Sequence, residues 1–280
     1  MIELPHPVMP DTLAPSSPRQ AWARHMARIG ADHGFFHRLG RRHAALYVQE
    51  GETLVLSFDR ADALWDQGDT ALPLGFDLVQ AREWSLLSLM SFGRTWFRET
   101  EVEVFLTTLT ETGFFAGFDQ VLIVAHGPQC THAAARMAAQ IPGARVLLSS
   151  PVAAVGATDA PFETRFAEDR RRGNPDLPPP LPPEALQEAD QTFVLFDPTI
   201  ALDAAQAAML RAPNTERLPL PAAGASLEAA MRSQHVLVPV MTGIANGSLT
   251  RARLRTLLRR SIRRDPAYID RIRTLSGVPA

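Results

Sequence analysis

The sequence contains no lysine: all 28 of its basic residues are arginine. That absence excludes lysine Schiff-base chemistry and any phosphate loop built on Gly-Lys-Ser/Thr. A single cysteine, Cys130, leaves no intramolecular disulfide to form. No run approaches the roughly 18 consecutive apolar residues a membrane-crossing helix needs. The first residues also lack the basic start and apolar stretch of a secretory signal. Together these absences predict a cytoplasmic protein. What is present is ordinary globular composition: 280 residues, 46% hydrophobic and 21% charged, enough to bury one or two cores.

Charge is unevenly placed. Residues 249–280 hold nine arginines against Asp265 and Asp270, a net of +7, so the rest of the chain carries −9 of the overall −2. Such asymmetry can mark a basic arm for nucleic acid or acidic lipid. A body that repels phosphate argues against nucleic acid as the partner.

Five prolines among the first 20 residues predict an irregular leader over 1–25. The main domain is expected over 26–248. Ala44–Gln49 and Thr53–Phe58, joined by Glu50-Gly51-Glu52, read as a hairpin. Val102, Phe105, Leu106 and Leu109 share the i, i+3, i+4, i+7 spacing of one helix face. Val121–Val124, an alanine-rich helix to about Gln140 and Val146–Leu148 then form a strand, helix, strand unit. An insertion is expected over about 156–191, helical around Phe162–Arg172, with six prolines in the nine residues Pro175–Pro183. Strands at Thr192–Phe196 and Glu216–Leu220 alternate with helices over Ala201–Leu210 and Leu227–Gln234. The arginine-rich 249–280 segment carries a leucine stripe that docks it on the same domain. The pattern predicts an α/β fold with a mostly parallel sheet and helices on both faces.

In such sheets ligands gather at the carboxyl ends of the strands, which directs attention to Ala125-His126-Gly127-Pro128-Gln129-Cys130-Thr131-His132. A strand, a sharp turn and an alanine-rich helix form the layout of a nucleophile elbow. Further segments carry a resemblance: Gly75-Phe76-Asp77-Leu78-Val79, Trp84-Ser85-Leu86-Leu87, Thr95-Trp96-Phe97-Arg98, Gly113-Phe114-Phe115, Phe118-Asp119, Ser149-Ser150-Pro151, Phe196-Asp197-Pro198 and Leu202-Asp203. In this order they resemble a bacterial family of α/β-hydrolase-like proteins, over roughly residues 30–275. The resemblance implies an α/β-hydrolase-like fold with a proline-rich insertion.

That family usually shows an elbow of the form Gly-x-Ser-Met-Gly-Gly-Tyr, and this sequence departs from it. The serine position falls on Gly127 or Pro128, depending on register, and neither is a nucleophile. Where the family has a Gly-His pair, the matching stretch Ala222–Ser226 has no histidine. Asp197 or Asp203 is the surviving candidate for the triad acid, and an acid alone cannot activate water or substrate. Some members of the family are labelled phosphoadenosine phosphosulfate reductases. That chemistry needs a lysine-bearing phosphate loop and a C-terminal cysteine, so the residues contradict the label.

Other polar side chains admit other readings. His126, Cys130 and His132 crowd the turn, but on a helix Cys130 and His132 lie about 200° apart, which argues against a metal site. Cys130 at a helix start is a candidate nucleophile if His126 or His132 serves as its base. Trp96 and Arg98, together with His126, His132 and Asp197, are candidates for a ligand pocket, with Arg98 placed to grip a carboxylate or phosphate. The sequence therefore predicts a catalytically degenerate α/β-hydrolase-like protein that binds a small molecule or a protein partner, without a cofactor. The alternative is an active hydrolase, of esterase or deacylase type, using Cys130 with a rearranged base.

Overall fold

A computed structural model describes residues 17–277 apart from 69 and 225. Ser17 caps the first helix, α1 (Pro18–His33), by accepting the Gln20 N–H, and Pro18 sits in the first turn where its missing donor costs nothing. The expected leader therefore gives way to helix by Pro18, and residues 1–16 lie outside the described residues. The α1 face carrying Trp22 and Met26 is fully buried.

β1 (Gly34–Leu39) and β2 (His43–Val48) form the hairpin, turning at Gly40 in the left-handed region (φ +64°). The hairpin expected between β2 and β3 (Thr53–Arg60) does not form. After α2 (Ala61–Trp65) and α3 (Phe76–Arg82) the chain returns as β4 (Ser85–Ser91), which lies between them, antiparallel to β2 and parallel to β3. The reason is burial: the central residues of β3 are covered on both faces, the condition of an interior parallel strand.

The remaining elements alternate. They are α4 (Thr100–Glu111), β5 (Gln120–His126), α5 (Pro128–Ala138), β6 (Arg145–Ser149), the short α6 (Ala167–Arg171), β7 (Gln191–Phe196), α7 (Ala201–Met209) and β8 (Thr215–Pro219). Then come α8 (Ser226–Arg232), α9 (Gln234–Ala245), α10 (Arg251–Ile262) and α11 (Pro266–Leu275). The sheet runs β1-β2-β4-β3-β5-β6-β7-β8, parallel from β4 onward. This is an α/β-hydrolase-like fold.

One face of the sheet packs against α4 and α5, where Val102, Phe105, Leu106 and Leu109 bury the predicted stripe. Each such side chain contributes roughly 1.5–3 kcal/mol. The other face packs against α1, α3, α8, α9 and α10. Two expectations need correction here. The helix expected around Leu227–Gln234 forms as α8, but a second helix that was not expected, α9, follows it through Pro239 to Ala245. The helix expected over Phe162–Arg172 shrinks to α6, and the excursion is anchored by a small separate cluster of Trp96, Val152, Val155 and Phe166. Among the described residues, no helix is long and apolar enough to cross a membrane.

Candidate functional site

The β5–α5 turn fixes the register that the sequence left open. Gly127 stands between the last residue of β5, His126, and the first of α5, Pro128, with φ +80° and ψ 169°. It is the strained corner of the turn, and a Cβ built on it would meet open space. A glycine has no side chain, so the corner of this turn presents no nucleophilic group. Pro128 follows it at the first helical position, where a fixed φ near −65° suits the helix. An oxyanion hole of this fold takes one donor from the backbone N–H just after the nucleophile. A proline in that place has none.

Asp197, at the end of β7, is buried and fully occupied. One carboxylate oxygen accepts the Thr199 N–H (2.9 Å), the Thr199 hydroxyl (2.7 Å) and the Ala222 N–H (3.0 Å), and the other accepts the Gly224 N–H (2.9 Å). It clamps the Ala222–Gly224 loop, where Ala222 sits in the left-handed region (φ +60°). Asp203 forms an ion pair with Arg165 at 2.7 Å, and Arg165 also holds the buried Glu163. Neither acid faces an imidazole.

The turn residues singled out by sequence go to separate places. His126 Nδ1 lies 3.0 Å from the Ser149 hydroxyl, and its Nε2 lies 3.7 Å from Glu228. Serine, histidine and glutamate are in line, but in the wrong order for catalysis: Ser149 is fully buried, while Glu228 is the solvent-facing end. His132 donates from Nε2 to the Pro179 carbonyl (3.1 Å), beneath the Trp96 ring. Neither histidine bonds Cys130. That thiol is 4% exposed, and burial, with Asp59 nearby, pushes its pKa up, the reverse of what a thiolate nucleophile requires. Among the described residues, no three of His, Cys, Asp and Glu converge as a metal ion would require.

A network that sequence reasoning missed supports the site from below. Gln129, in the first turn of α5, accepts the N–H groups of Thr95 (3.0 Å) and Trp96 (3.3 Å). Its amide nitrogen donates to Ser91 Oγ (3.0 Å) and the Gly93 carbonyl (3.1 Å). This holds Trp96 and Phe97 in consecutive left-handed conformations (φ +54° and +55°), which cost bulky residues of order 1–3 kcal/mol each. Thr95 Oγ1 also sits 2.6 Å from His43 Nε2, and His43 Nδ1 lies 3.1 Å from Glu99. The connectivity is that of a hydroxyl, imidazole and carboxylate relay. Thr95 is fully buried and its oxygen also accepts the Phe97 N–H, so the arrangement holds the loop and offers no surface to a substrate. Only the apolar, turn-forming look of residues 91–97 marked the loop in sequence. The pairing of His43 with it depends on β2 lying next to β4.

Above this network opens a cleft of about 310 Å³, lined by Arg60, Arg94, Trp96, Pro128, Gln129, Phe166 and Asp169. Arg94 pairs with Asp169 at 2.5 Å. Arg98, expected to grip a ligand, is turned instead to the insertion, donating to the carbonyls of Pro175 (3.2 Å) and Leu177. Of the expected pocket residues, Trp96 lines this cleft, whereas Arg98, His126, His132 and Asp197 do not. Among the described residues, the buried indole N–H of Trp96 has no partner and no side chain caps the N-terminus of α5.

No family model matches the chain, and no curated protein matches it. Among solved structures it is similar to the capsule O-acetyltransferase of Neisseria meningitidis serogroup A, with 10% identity over 66% of this chain and 86% of that one, at a TM-score of 0.44. It is similar to esterase LipW from Mycobacterium marinum, with 14% identity over 86% of each chain and a TM-score of 0.42. A third is carboxyl esterase 2 from the mycorrhizal fungus Tuber melanosporum, with 11% identity, 79% and 82% coverage and a TM-score of 0.42. Likenesses at this level say nothing of what this chain does, and the fold rests on its own strand order.

Proposed function

We propose that this chain is a non-catalytic α/β-hydrolase-like protein, a degenerate relative of the bacterial family its motifs resemble, which binds a small ligand in the cleft over α5. The observation that carries the reading is Gly127 followed by Pro128. The pair removes the nucleophile's side chain and the adjoining oxyanion donor together, and no rearrangement of rotamers restores either. The occupation of Asp197 by its own loop supports it.

The cleft's chemistry suits a ligand with an apolar or ring-like body and an acceptor group, such as a saccharide or an acyl-bearing compound. Trp96 and Phe166 supply apolar walls, while Arg60, Arg94 and the uncapped helix end supply donors. The thiol alternative loses ground to the burial of Cys130. A cytoplasmic location belongs to the same proposal.

A thermal-shift screen of saccharides and short-chain acyl compounds tests it. The expected result is a compound that raises the melting temperature, is recovered unchanged, and loses its effect in Arg60→Ala and Arg94→Ala. Recovery of a hydrolysed compound, abolished by those same changes, contradicts it.

A further inference from the structure

The arginine-rich end of the chain has a surface that the cleft does not explain. α10 buries Leu254, Leu258 and Ile262 and turns Arg251, Arg253, Arg259 and Arg260 outward, and Arg263 and Arg264, just beyond its end, are exposed as well. Among the described residues, no carboxylate lies within ion-pair distance of Arg253, Arg259, Arg260, Arg263 or Arg264, although surface arginines in this protein are commonly paired. α11 is stranger. None of its residues is buried, and Ile269, Ile272 and Leu275 are 41%, 38% and 59% exposed along one side. It is attached by the half-buried Tyr268, packed on the core, and by polar contacts: Arg271 donates to the carbonyls of Ala222 (2.8 Å) and Ala223 (2.5 Å), and Asp265 accepts from Ser226. Between the two helices lies a groove of about 130 Å³, floored by Leu220, Ala223 and Ile262 and rimmed by Arg259, Arg263 and Tyr268.

We infer that α10 and α11 form a docking surface for an anionic phospholipid bilayer. A helix lying in a membrane interface presents aliphatic side chains to the acyl region and arginines to the headgroup phosphates. Here both are on one exposed end of the molecule, and the net +7 of residues 249–280 complements an acidic leaflet. The groove is apolar at its floor and cationic at its rim, the order in which a lipid's first methylenes and its phosphate would meet it.

Two other occupants fit less well. A second copy related by a two-fold axis would bring the same arginines face to face. A nucleic acid has no use for an exposed isoleucine and leucine ridge.

Flotation of the full chain with vesicles tests the inference. The chain is expected to float with phosphatidylcholine vesicles that contain phosphatidylserine and not with phosphatidylcholine alone. The association should weaken as salt is raised through the range that screens surface charge. Arg259→Gln with Arg263→Gln should weaken partition about thirtyfold, from about fivefold for each cation near the surface. Ile269→Ser with Leu275→Ser, at positions too exposed to affect folding, should weaken it as well; unchanged far-UV circular dichroism and melting confirm both variants are folded. Three results overturn the inference: no flotation of the wild type; full flotation of the Ile269/Leu275 variant alongside DNA binding equal to the wild type's; or a wild-type dimer that the same variant converts to monomer.

Discussion

Gln129 uses all four hydrogen-bonding positions of its amide, two accepting and two donating, inside a buried loop. A carboxylate of the same shape keeps the acceptors and loses both donors, leaving the Gly93 carbonyl facing a negative charge. Gln129→Glu is therefore expected to destabilise the fold by about 2–4 kcal/mol, read from denaturant unfolding. Asp197→Ala removes the acceptor for the Ala222 and Gly224 N–H groups and should cost a similar amount, about 2–4 kcal/mol. Were Asp197 a free acid in a cleft, the same change would leave stability nearly untouched. His132 carries a pH dependence. Burial holds its imidazole at a pKa of about 4, below its ordinary value of 6.5, and lowers His126 in the same direction. As pH falls below 6.5 the unfolded chain takes up a proton that the folded chain refuses. Stability therefore declines from about 6.5 and levels off below about 4, by about 3 kcal/mol for His132. Replacing His132 with glutamine should flatten that slope in melts taken across the range. Cys130 should react with iodoacetamide only as fast as the protein unfolds, measured by mass spectrometry; rapid alkylation of the native protein would contradict its burial.

At the scale of elements, the insertion is held down by arginines from outside it. Arg42 pairs bidentately with Asp176 (2.8 and 3.0 Å), Arg94 pairs with Asp169, and Arg98 binds two carbonyls of the proline-rich stretch. Arg98→Ala should raise amide exchange in residues 174–181 severalfold while leaving β5 and β6 protected, because the contacts it removes are local. The elements easiest to find in sequence were those whose burial is written in a local pattern: the α4 stripe, the continuous run of β5, covered on both faces, and the alanine-rich α5. The β2 and β3 pairing was misread because turn chemistry is local, whereas the insertion of β4 between them is a property of the whole sheet. The helix α9 was hidden by Pro239, a residue that normally argues against a helix interior.

At the scale of the molecule, what could be read in the sequence was the absence of a serine from the β5–α5 turn and of a histidine from Ala222–Ser226; what could not was where the other polar groups would go. Residues 126–132 look like one cluster on paper. In the fold β5 and α5 send His126 toward α8, His132 under Trp96 and Cys130 into the core, because successive positions on a strand and helix point to different faces. The cleft itself draws on β3, the β4 loop, α5 and the insertion, a convergence with no signature in any single stretch. Under the proposed function, the polar groups around it brace the scaffold in place of turning over a substrate. The measurement that bears most directly on this is hydrolysis of p-nitrophenyl acetate by the purified chain. The rate should equal the buffer rate, and Pro128→Ala and Cys130→Ala should leave it there. Turnover above buffer, abolished by either change and preserved in an exposed control such as Val104→Ala, would contradict the account.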